Sequence, residues 1–301
     1  MTIFTGSIAT VGQRFSYQVS LTAGRRYFFE LEGFATGAGT LNDPLLRLFS
    51  GVTLLASNND GGVGLNSRLV YAPLTTGTYT VEVSEFGDNA IGTYRLNVDE
   101  DDFRGTNEGD GSLGAVALGT AGAAGVINYA GDQDLFNVSL VAGTRYFIDL
   151  EGAATGQGLL VDPLLQGLYN GNTVQLGGTT DDNGGAGLNA RVVFTPTVTG
   201  AYQIAAGGIS SNTGSYRLFV RADDYRGTLD SDGPLGTVPP GATGTAGVVD
   251  YNGDRDVFQV VLVAGTRYYI DLEGSATGQG TIVNTFIREI RDGRSNTPVA
   301  V

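Results

Sequence analysis

The chain has 301 residues, 41% of them hydrophobic, a net charge of −14 and no cysteine, histidine or tryptophan. This composition excludes a serine–histidine triad, a thiol nucleophile, a disulfide and a histidine-ligated zinc site. All 17 basic residues are arginine, so lysine chemistry is excluded as well. The negative net charge argues against nucleic acid as a partner, because proteins bind nucleic acid through basic surfaces.

Neither membrane insertion nor a cleavable leader is indicated by the sequence. No apolar run approaches the roughly 18 residues of a membrane span. Residues 1–15 lack both the basic region and the apolar region of a secretory signal. We therefore expect either an extracellular protein exported without a cleaved N-terminal signal or a piece of a longer chain.

One segment occurs three times and sets the organisation of the chain. AGRRYFFELEGFATGAG at 23–39 returns as AGTRYFIDLEGAATGQG at 142–158 and as AGTRYYIDLEGSATGQG at 264–280. The period of about 120 residues is the size of a whole domain rather than of a solenoid repeat. We therefore predict a module over 1–103, a linker plus module over 104–225, and a linker plus incomplete module over 226–301.

Apolar and polar residues alternate along short segments within each module. In FNVSL, Phe136, Val138 and Leu140 share one face of a strand, and RYFIDLE at 145–151 repeats the alternation. A period of two indicates antiparallel sheet with one face buried and one wet. We predict an all-β protein of tandem antiparallel β-sandwich modules of the jelly-roll type. Phe147 and Phe219 fall on the wet face, where they either stack on a sugar or pack across the sheet.

A glycine-rich loop gathers side-chain oxygens in the first two modules. It reads NNDGGVGLNSR at 58–68 and DDNGGAGLNAR at 181–191. Asp60, Asp181 and Asp182 are therefore candidate ligands for a hard cation, and calcium fits such oxygen-only sites best. The loop lacks the twelfth-position glutamate of an EF-hand. The alternative is a hairpin in which the Asn and Asp side chains cap their own backbone.

A second set of acids precedes a core strand in modules two and three, within GDQDLF and GDRDVF. These acids share parity with the core phenylalanines, so they are expected to point inward, where an unpartnered carboxylate is unfavourable. Further acids in the linkers could complete the coordination of a cation. The candidates are Asp132, Asp134, Asp254 and Asp256 at the strands and Asp101, Asp102, Asp223 and Asp224 in the linkers. Module one has Gln13 and Phe15 in the two acid positions, so we expect no site there.

The ordered motifs resemble those of the bacterial pre-peptidase C-terminal domain. They run G-D-x-D-x-F, A-G-x-x-Y-x-I-D-L-E-G, T-G-x-G, D-P-L-L, the N/D-rich glycine loop, G-x-Y and G-x-Y-R-L, over two full copies and half of a third. The resemblance implies secreted jelly-roll-like sandwiches appended to proteases and other exported proteins. Some members bind calcium through linker acids and an acidic strand start, and some bind collagen or polysaccharide. By position, it implies calcium binding by the strand acids, with the linker acids as partners.

These observations favour a non-catalytic structural or adhesive array, extracellular or on the bacterial cell surface and stabilised by calcium. The alternative is an accessory region that binds collagen or polysaccharide for a secreted enzyme. A carboxylate-pair glycosidase is disfavoured, because the acids recur with the module whereas a catalytic pair normally occurs once. Module three is expected to lack the loop and every later strand. Either the chain is a fragment, or a neighbouring copy supplies the missing strands and a homopolymer forms.

Overall fold

The computed structural model describes residues 2–106, 111–119, 121–171, 174–227, 234–241, 244–249, 254–293 and 297–299. The predicted fold class is confirmed, because the regular structure is almost entirely antiparallel β-sheet. The chain folds as two compact units, Met1–Ala222 and Asp223–Val301. Within the described ranges, no helix is long and apolar enough to cross a membrane.

Residues 2–100, all of which the structure describes, form the first sandwich. Its strands are β1 (Thr2–Ile8), β2 (Phe15–Leu21), β3 (Tyr27–Glu32), β4 (Pro44–Ser50), β5 (Thr53–Asn58), β6 (Ser67–Tyr71), β7 (Gly77–Glu85) and β8 (Gly92–Glu100). One sheet has the order β1-β8-β3-β6 and the other has the order β2-β7-β4-β5. Every pairing is antiparallel. Two four-stranded sheets in this order make a jelly roll.

The second sandwich follows most of this plan within the same unit, but among its described residues no strand corresponds to β5. Its strands are β9 (Gly114–Ala115), β10 (Ala123–Ile127), β11 (Gln133–Leu140), β12 (Tyr146–Glu151), β13 (Pro163–Tyr169), β14 (Ala190–Phe194), β15 (Gly200–Gly208) and β16 (Gly214–Ala222). The sheets have the orders β10-β16-β12-β14 and β13-β15-β11-β9. The short β9, which comes from the predicted linker, pairs in parallel with β11. The linker segment Gly114–Ala115 is therefore part of the second sandwich.

The residues that alternate in sequence line the cores. Phe136, Val138 and Leu140 of β11 are buried, and they belong to one cluster with Ile148 and Leu150 of β12. A matching cluster fills the first sandwich. Complete burial of one such side chain contributes about 1.5–3 kcal/mol relative to leaving it exposed. The period of two therefore identified the inward face correctly.

The outward face is not wet everywhere, which corrects one expectation. Phe147 is 1% exposed and Phe219 is 4% exposed. The chain at Gly122 lies over the Phe219 ring, and the Arg221 guanidinium lies 4.4 Å from the centre of that ring. Because both rings are covered, neither offers a surface on which a sugar could stack.

The unit Asp223–Val301 holds little regular structure in its described residues. The strands β17 (Gly236–Thr237) and β18 (Phe258–Gln259) pair in parallel, as β9 and β11 do in the second sandwich. A 3₁₀ turn at Ser275–Thr277 matches the turns Phe34–Thr36 and Ala153–Thr155 of the two sandwiches. Residues 268–273 repeat the sequence of β12 at five of six positions but do not form a strand.

Candidate metal centre

The linker after β8 is anchored to the first sandwich through Asp101. Its backbone N–H donates to the carbonyl oxygen of Arg26 over 2.9 Å. Its Oδ2 lies 3.5 Å from Nε of Arg26 in a mostly buried ion pair. The Asp101 carboxylate is therefore held at the boundary of the first sandwich, and the chain then passes directly to the second.

The next residue, Asp102, is tied to the second sandwich. Its Oδ2 accepts a hydrogen bond of 2.8 Å from the backbone N–H of Val126 on β10. Because β10 is an edge strand of its sheet, this bond joins the linker to the sheet margin. Two adjacent carboxylates are thus fixed to two different sandwiches.

Asp134 on β11 completes the group from inside the second sandwich. The residue is 0% exposed, and its Oδ2 accepts a hydrogen bond of 2.6 Å from the Tyr216 hydroxyl. Its Oδ1 has no hydrogen-bond partner among the described residues. One carboxylate oxygen each from Asp101, Asp102 and Asp134 lies within 4.8 Å of the others. The arrangement is a largely buried cluster of acids in which Oδ1 of Asp134 has no hydrogen-bond partner among the described residues, as a cation site would be.

The first sandwich shows what replaces this carboxylate. Phe15 occupies the position of Asp134, and the hydroxyl of Tyr94, the counterpart of Tyr216, lies 2.8 Å from the hydroxyl of Tyr17. In the second sandwich Tyr17 is replaced by Phe136, which offers no hydroxyl. The buried tyrosine therefore bonds to a second tyrosine in one sandwich and to an acid in the other. Sequence reasoning missed the role of Tyr216, although this paired exchange was visible in the repeats.

The electrostatics of the group disfavour ionisation. Burial raises the pKa of Asp134 well above its usual value, and the nearby Asp102, Asp132 and Asp101 raise it further. Burial also raises the pKa of Asp102 to about 6, against the opposing effect of the Val126 hydrogen bond. A bound divalent cation would reverse this preference by stabilising the ionised carboxylates.

Without metal, the second sandwich is expected to become more stable as the pH falls from about 7 to about 5. Asp102, with its pKa of about 6, binds a proton in the folded state at a pH where the unfolded chain has already released it. Lowering the pH through that value therefore favours folding, and the gain is complete below the ordinary carboxyl pKa of about 4. Thermal unfolding in EGTA measures the effect, with Asp102→Asn as the control that reduces it. A melting temperature that falls over this range would contradict the prediction.

A second group with the same pattern lies within the unit Asp223–Val301. One oxygen each from Asp223, Asp224 and Asp256 lies within 4.8 Å of the others. The Oδ2 of Asp224 accepts a hydrogen bond of 2.8 Å from the N–H of Val248, the same bond that Asp102 receives from Val126. Six of the predicted acids are thus brought together in two groups, three to each group.

Asp132 and Asp254 are not members of these groups. The carboxylate of Asp132 accepts hydrogen bonds from the N–H groups of Asn128 and Gln133, over 2.6 and 2.9 Å. Asp254 likewise accepts from the N–H of Arg255 over 2.7 Å. In the first sandwich, Gln13 occupies the position of Asp132, and its side chain accepts from the backbone N–H of Ala9 over 2.7 Å. An amide performs this capping role as well as an acid, so the role needs no charge.

The glycine-rich loop is capped by its own Asx side chains, and in the first sandwich it connects β5 and β6, which lie in different sheets. The Oδ2 of Asp181 accepts from the N–H groups of Gly184 and Arg191, over 2.7 and 2.8 Å. Asn58 makes the same two bonds in the first sandwich, to the N–H groups of Gly61 and Arg68. Asp60 accepts from the side chain of Asn59. Among the described residues, neither Asp60, Asp181 nor Asp182 belongs to a group of three acids, so the alternative of a self-capped loop describes the geometry.

Asp181→Asn is expected to change neither stability nor cation binding by a measurable amount. The substitution reproduces the residue found at Asn58, and its amide oxygen can accept the same hydrogen bonds from Gly184 and Arg191. Surface changes that preserve such contacts lie within about 0.5 kcal/mol of wild type. Urea unfolding and calcium titration of this variant check the prediction, and a loss of calcium binding would return the loop to the list of metal sites.

Comparison of the chain with protein-family models and with curated proteins found no match. Solved structures with some similarity include the CUB1-EGF-CUB2 domain of human MASP-1/3, at 11% identity and a TM-score of 0.16, covering 71% of this chain and 99% of that one. The ANXUR1 extracellular domain from Arabidopsis thaliana matches at 10% identity and a TM-score of 0.23, covering 71% and 83%. The STIV MCP matches at 10% identity and a TM-score of 0.18, covering 73% and 96%. Similarities at TM-scores this low carry no argument about function.

Proposed function

We propose that this protein is a non-catalytic extracellular array of β-sandwich modules, in which calcium fixes each linker to the module that follows it. The observation that carries the proposal is Asp134. It is a fully buried carboxylate with one unsatisfied oxygen, and it faces the two linker acids Asp101 and Asp102. Leaving such a group ionised without a partner is costly, so a cation is the natural complement.

Calcium fits this donor set better than other metals. The ligands offered are oxygens, and the chain has no cysteine or histidine with which to select zinc or copper. Calcium accepts six to eight oxygens in irregular geometry, including backbone carbonyls and water, whereas magnesium demands a near-ideal octahedron. Three carboxylates from two chain segments suit the more permissive ion.

A cation at this place would act as a cross-link between sandwiches. Asp101 is held by Arg26 of the first sandwich, whereas Asp102 and Asp134 are held by β10 and β11 of the second. Binding all three carboxylates would join the two sandwiches through the linker. The chain has no cysteine for a disulfide, so a metal cross-link would be the means of stiffening the array. A cation at Asp223, Asp224 and Asp256 would likewise fix the linker residues Asp223 and Asp224 to the third module.

The assignment to a secreted structural or adhesive protein rests on the resemblance to the pre-peptidase C-terminal domain. The recurrence of the acids with each linker also supports a structural role, since a catalytic pair would occur once. We propose no enzymatic activity for the chain. Calcium and other modules of the same extracellular assembly are its proposed partners.

Calorimetric titration with calcium tests the proposal. The wild-type chain is expected to bind two ions, one at each group of acids, and Asp134→Asn is expected to bind one. The double variant Asp134→Asn with Asp256→Asn should bind none. If the single variant still binds two ions, the acids gathered around Asp134 are not a calcium site.

A further inference from the structure

The outward face of the first sandwich carries a buried aromatic ring on β3. Tyr27 and Phe29 belong to the core, whereas Phe28 alternates with them and faces outward. The outward face of an antiparallel sheet is commonly in contact with water, yet Phe28 is only 3% exposed. Another part of the chain therefore covers this ring.

Tyr129, in the loop between β10 and β11 of the second sandwich, lies against Phe28. The centres of the two rings are 4.5 Å apart. The guanidinium carbon of Arg68 lies 4.8 Å from the centre of the Tyr129 ring, within the range of a cation–π contact. Tyr129 therefore contacts two paired strands of the first sandwich, β3 through Phe28 and β6 through Arg68.

Both sides of this contact are held in place within their own sandwich. Glu30 pairs with Arg68 across β3 and β6, and its Oε1 lies 2.7 Å from Nε and 2.6 Å from Nη2 of Arg68. Asp132, whose carboxylate caps the loop of the second sandwich, donates its N–H to the carbonyl oxygen of Tyr129 over 3.1 Å. Because both partners are preorganised, the contact orders few additional groups.

The repeats distribute the two halves of this contact in a consistent way. Tyr129 occupies the position of Thr10 in the first module and of Tyr251 in the third, which lies outside the described residues. The tyrosine thus occurs in the two modules that follow a linker within the chain. The set that receives it on the first module recurs on the second as Phe147, Asp149 and Arg191. A role between successive modules accounts for this distribution.

The first two sandwiches are thereby attached at two separate places. The linker is held at Asp101 by Arg26, and Tyr129 provides a second attachment from a different loop. One attachment would leave the sandwiches free to rotate about it, and tandem domains move relative to each other unless contacts prevent the motion. A second attachment removes that rotation.

We propose that Tyr129 sets the angle between the first two sandwiches by docking on Phe28 and Arg68, with or without a bound cation. A cation at the linker acids would strengthen a connection whose geometry Tyr129 determines. The inference adds to the proposed function and does not depend on calcium binding.

The distance between spin labels on the two sandwiches tests this proposal in the full chain. The chain has no cysteine of its own, so cysteines introduced at Val52 and Val198, which are 98% and 65% exposed, can be labelled specifically. Pulsed electron double resonance in EGTA is expected to give one narrow distance distribution. Tyr129→Ala should broaden this distribution and shift its centre. The matched control Thr10→Ala, in the same loop of the first sandwich, should leave it unchanged.

Two further variants separate the contact from a general loss of structure. Tyr129→Phe keeps the ring and should retain the narrow distribution. Phe28→Ala removes the other half of the contact and should broaden the distribution as Tyr129→Ala does. The double variant should be no broader than the single variants, because all three lack the same contact. Circular dichroism establishes that each variant keeps its strands.

The results that would overturn the proposal are distinct from those that bear on calcium. A narrow, unshifted distribution for folded Tyr129→Ala or Phe28→Ala would refute it, and so would broadening that adds in the double variant. A wild-type distribution that is broad in EGTA and narrow in calcium would assign the angle to the cation instead. If calorimetry detects no calcium binding, the proposed function fails, whereas a narrow distribution in EGTA that depends on Tyr129 would still support this inference.

Discussion

Asp134→Asn is expected to abolish the calcium-dependent stabilisation of the second sandwich while leaving the metal-free protein at least as stable as wild type. Calcium at about 100 times its Kd should stabilise the wild-type fold by about 2.7 kcal/mol. For a unit of this size, that corresponds to about 5–10 °C in melting temperature. The variant loses this gain because an amide cannot supply the buried negative charge.

In EGTA, the melting temperature of Asp134→Asn should equal or exceed that of the wild-type protein. The asparagine side chain keeps an oxygen to accept the Tyr216 hydroxyl, and it removes a charge whose burial beside Asp102 and Asp101 is unfavourable. Differential scanning calorimetry in calcium and in EGTA measures both the calcium-dependent stabilisation and the stability of the metal-free protein. Asp88→Asn is the matched control, because Asp88 is an exposed partner of Arg14 in the first sandwich, where such pairs contribute little. An equal calcium shift in wild type and Asp134→Asn would refute the assignment.

Gly158→Ala is expected to destabilise the second sandwich by about 1–3 kcal/mol or more, as overpacking does. The added methyl group would lie 2.0 Å from the Ser215 carbonyl oxygen, and the obstacle is backbone that cannot rotate away. Gly280→Ala makes the same change in an almost identical segment, where the nearest atom lies 3.8 Å away. Its effect on unfolding should stay within about 0.5 kcal/mol.

Urea unfolding of the two variants, followed by circular dichroism, makes this comparison directly. The pair isolates the destabilisation caused by strand packing, because both glycines follow the same four residues, ATGQ. A large loss of stability for Gly280→Ala would mean that a strand already packs against residue 280. Equal, small effects for both variants would mean that the second sandwich tolerates a side chain at residue 158.

Much of the fold could be predicted because the chain repeats itself. The alternation at Phe136, Val138 and Leu140 identified the inward face, and the spacing of the repeats indicated whole domains. The alternation could not show that Phe147 and Phe219 would be covered, because a period of two does not reveal which other groups lie over the outward face. Residues 268–273 carry the same pattern as β12 without forming a strand, because a strand depends on neighbours with which to pair.

The candidate site could be predicted in part. Parity with Phe136 placed Asp134 inward, and the structure brings it to the linker acids Asp101 and Asp102. The sequence could not distinguish these metal-ligand candidates from Asp132 and Asp181, because an aspartate can either bind a metal or accept hydrogen bonds from backbone N–H groups. The difference lies in which oxygens the backbone N–H groups already occupy. The first module carries the amides Gln13 and Asn58 at these two positions. Because an amide accepts the same capping hydrogen bonds, this difference between the repeats indicated that neither position requires a charge.

Diffraction from crystals grown in calcium, at a wavelength where calcium scatters anomalously, shows directly whether the three carboxylates around Asp134 hold an ion. We expect an anomalous peak bound by carboxylate oxygens of Asp101, Asp102 and Asp134. A weaker or absent peak in Asp134→Asn crystals would strengthen the assignment. Calcium found only in the glycine-rich loops, with these three carboxylates left without an ion, would contradict it.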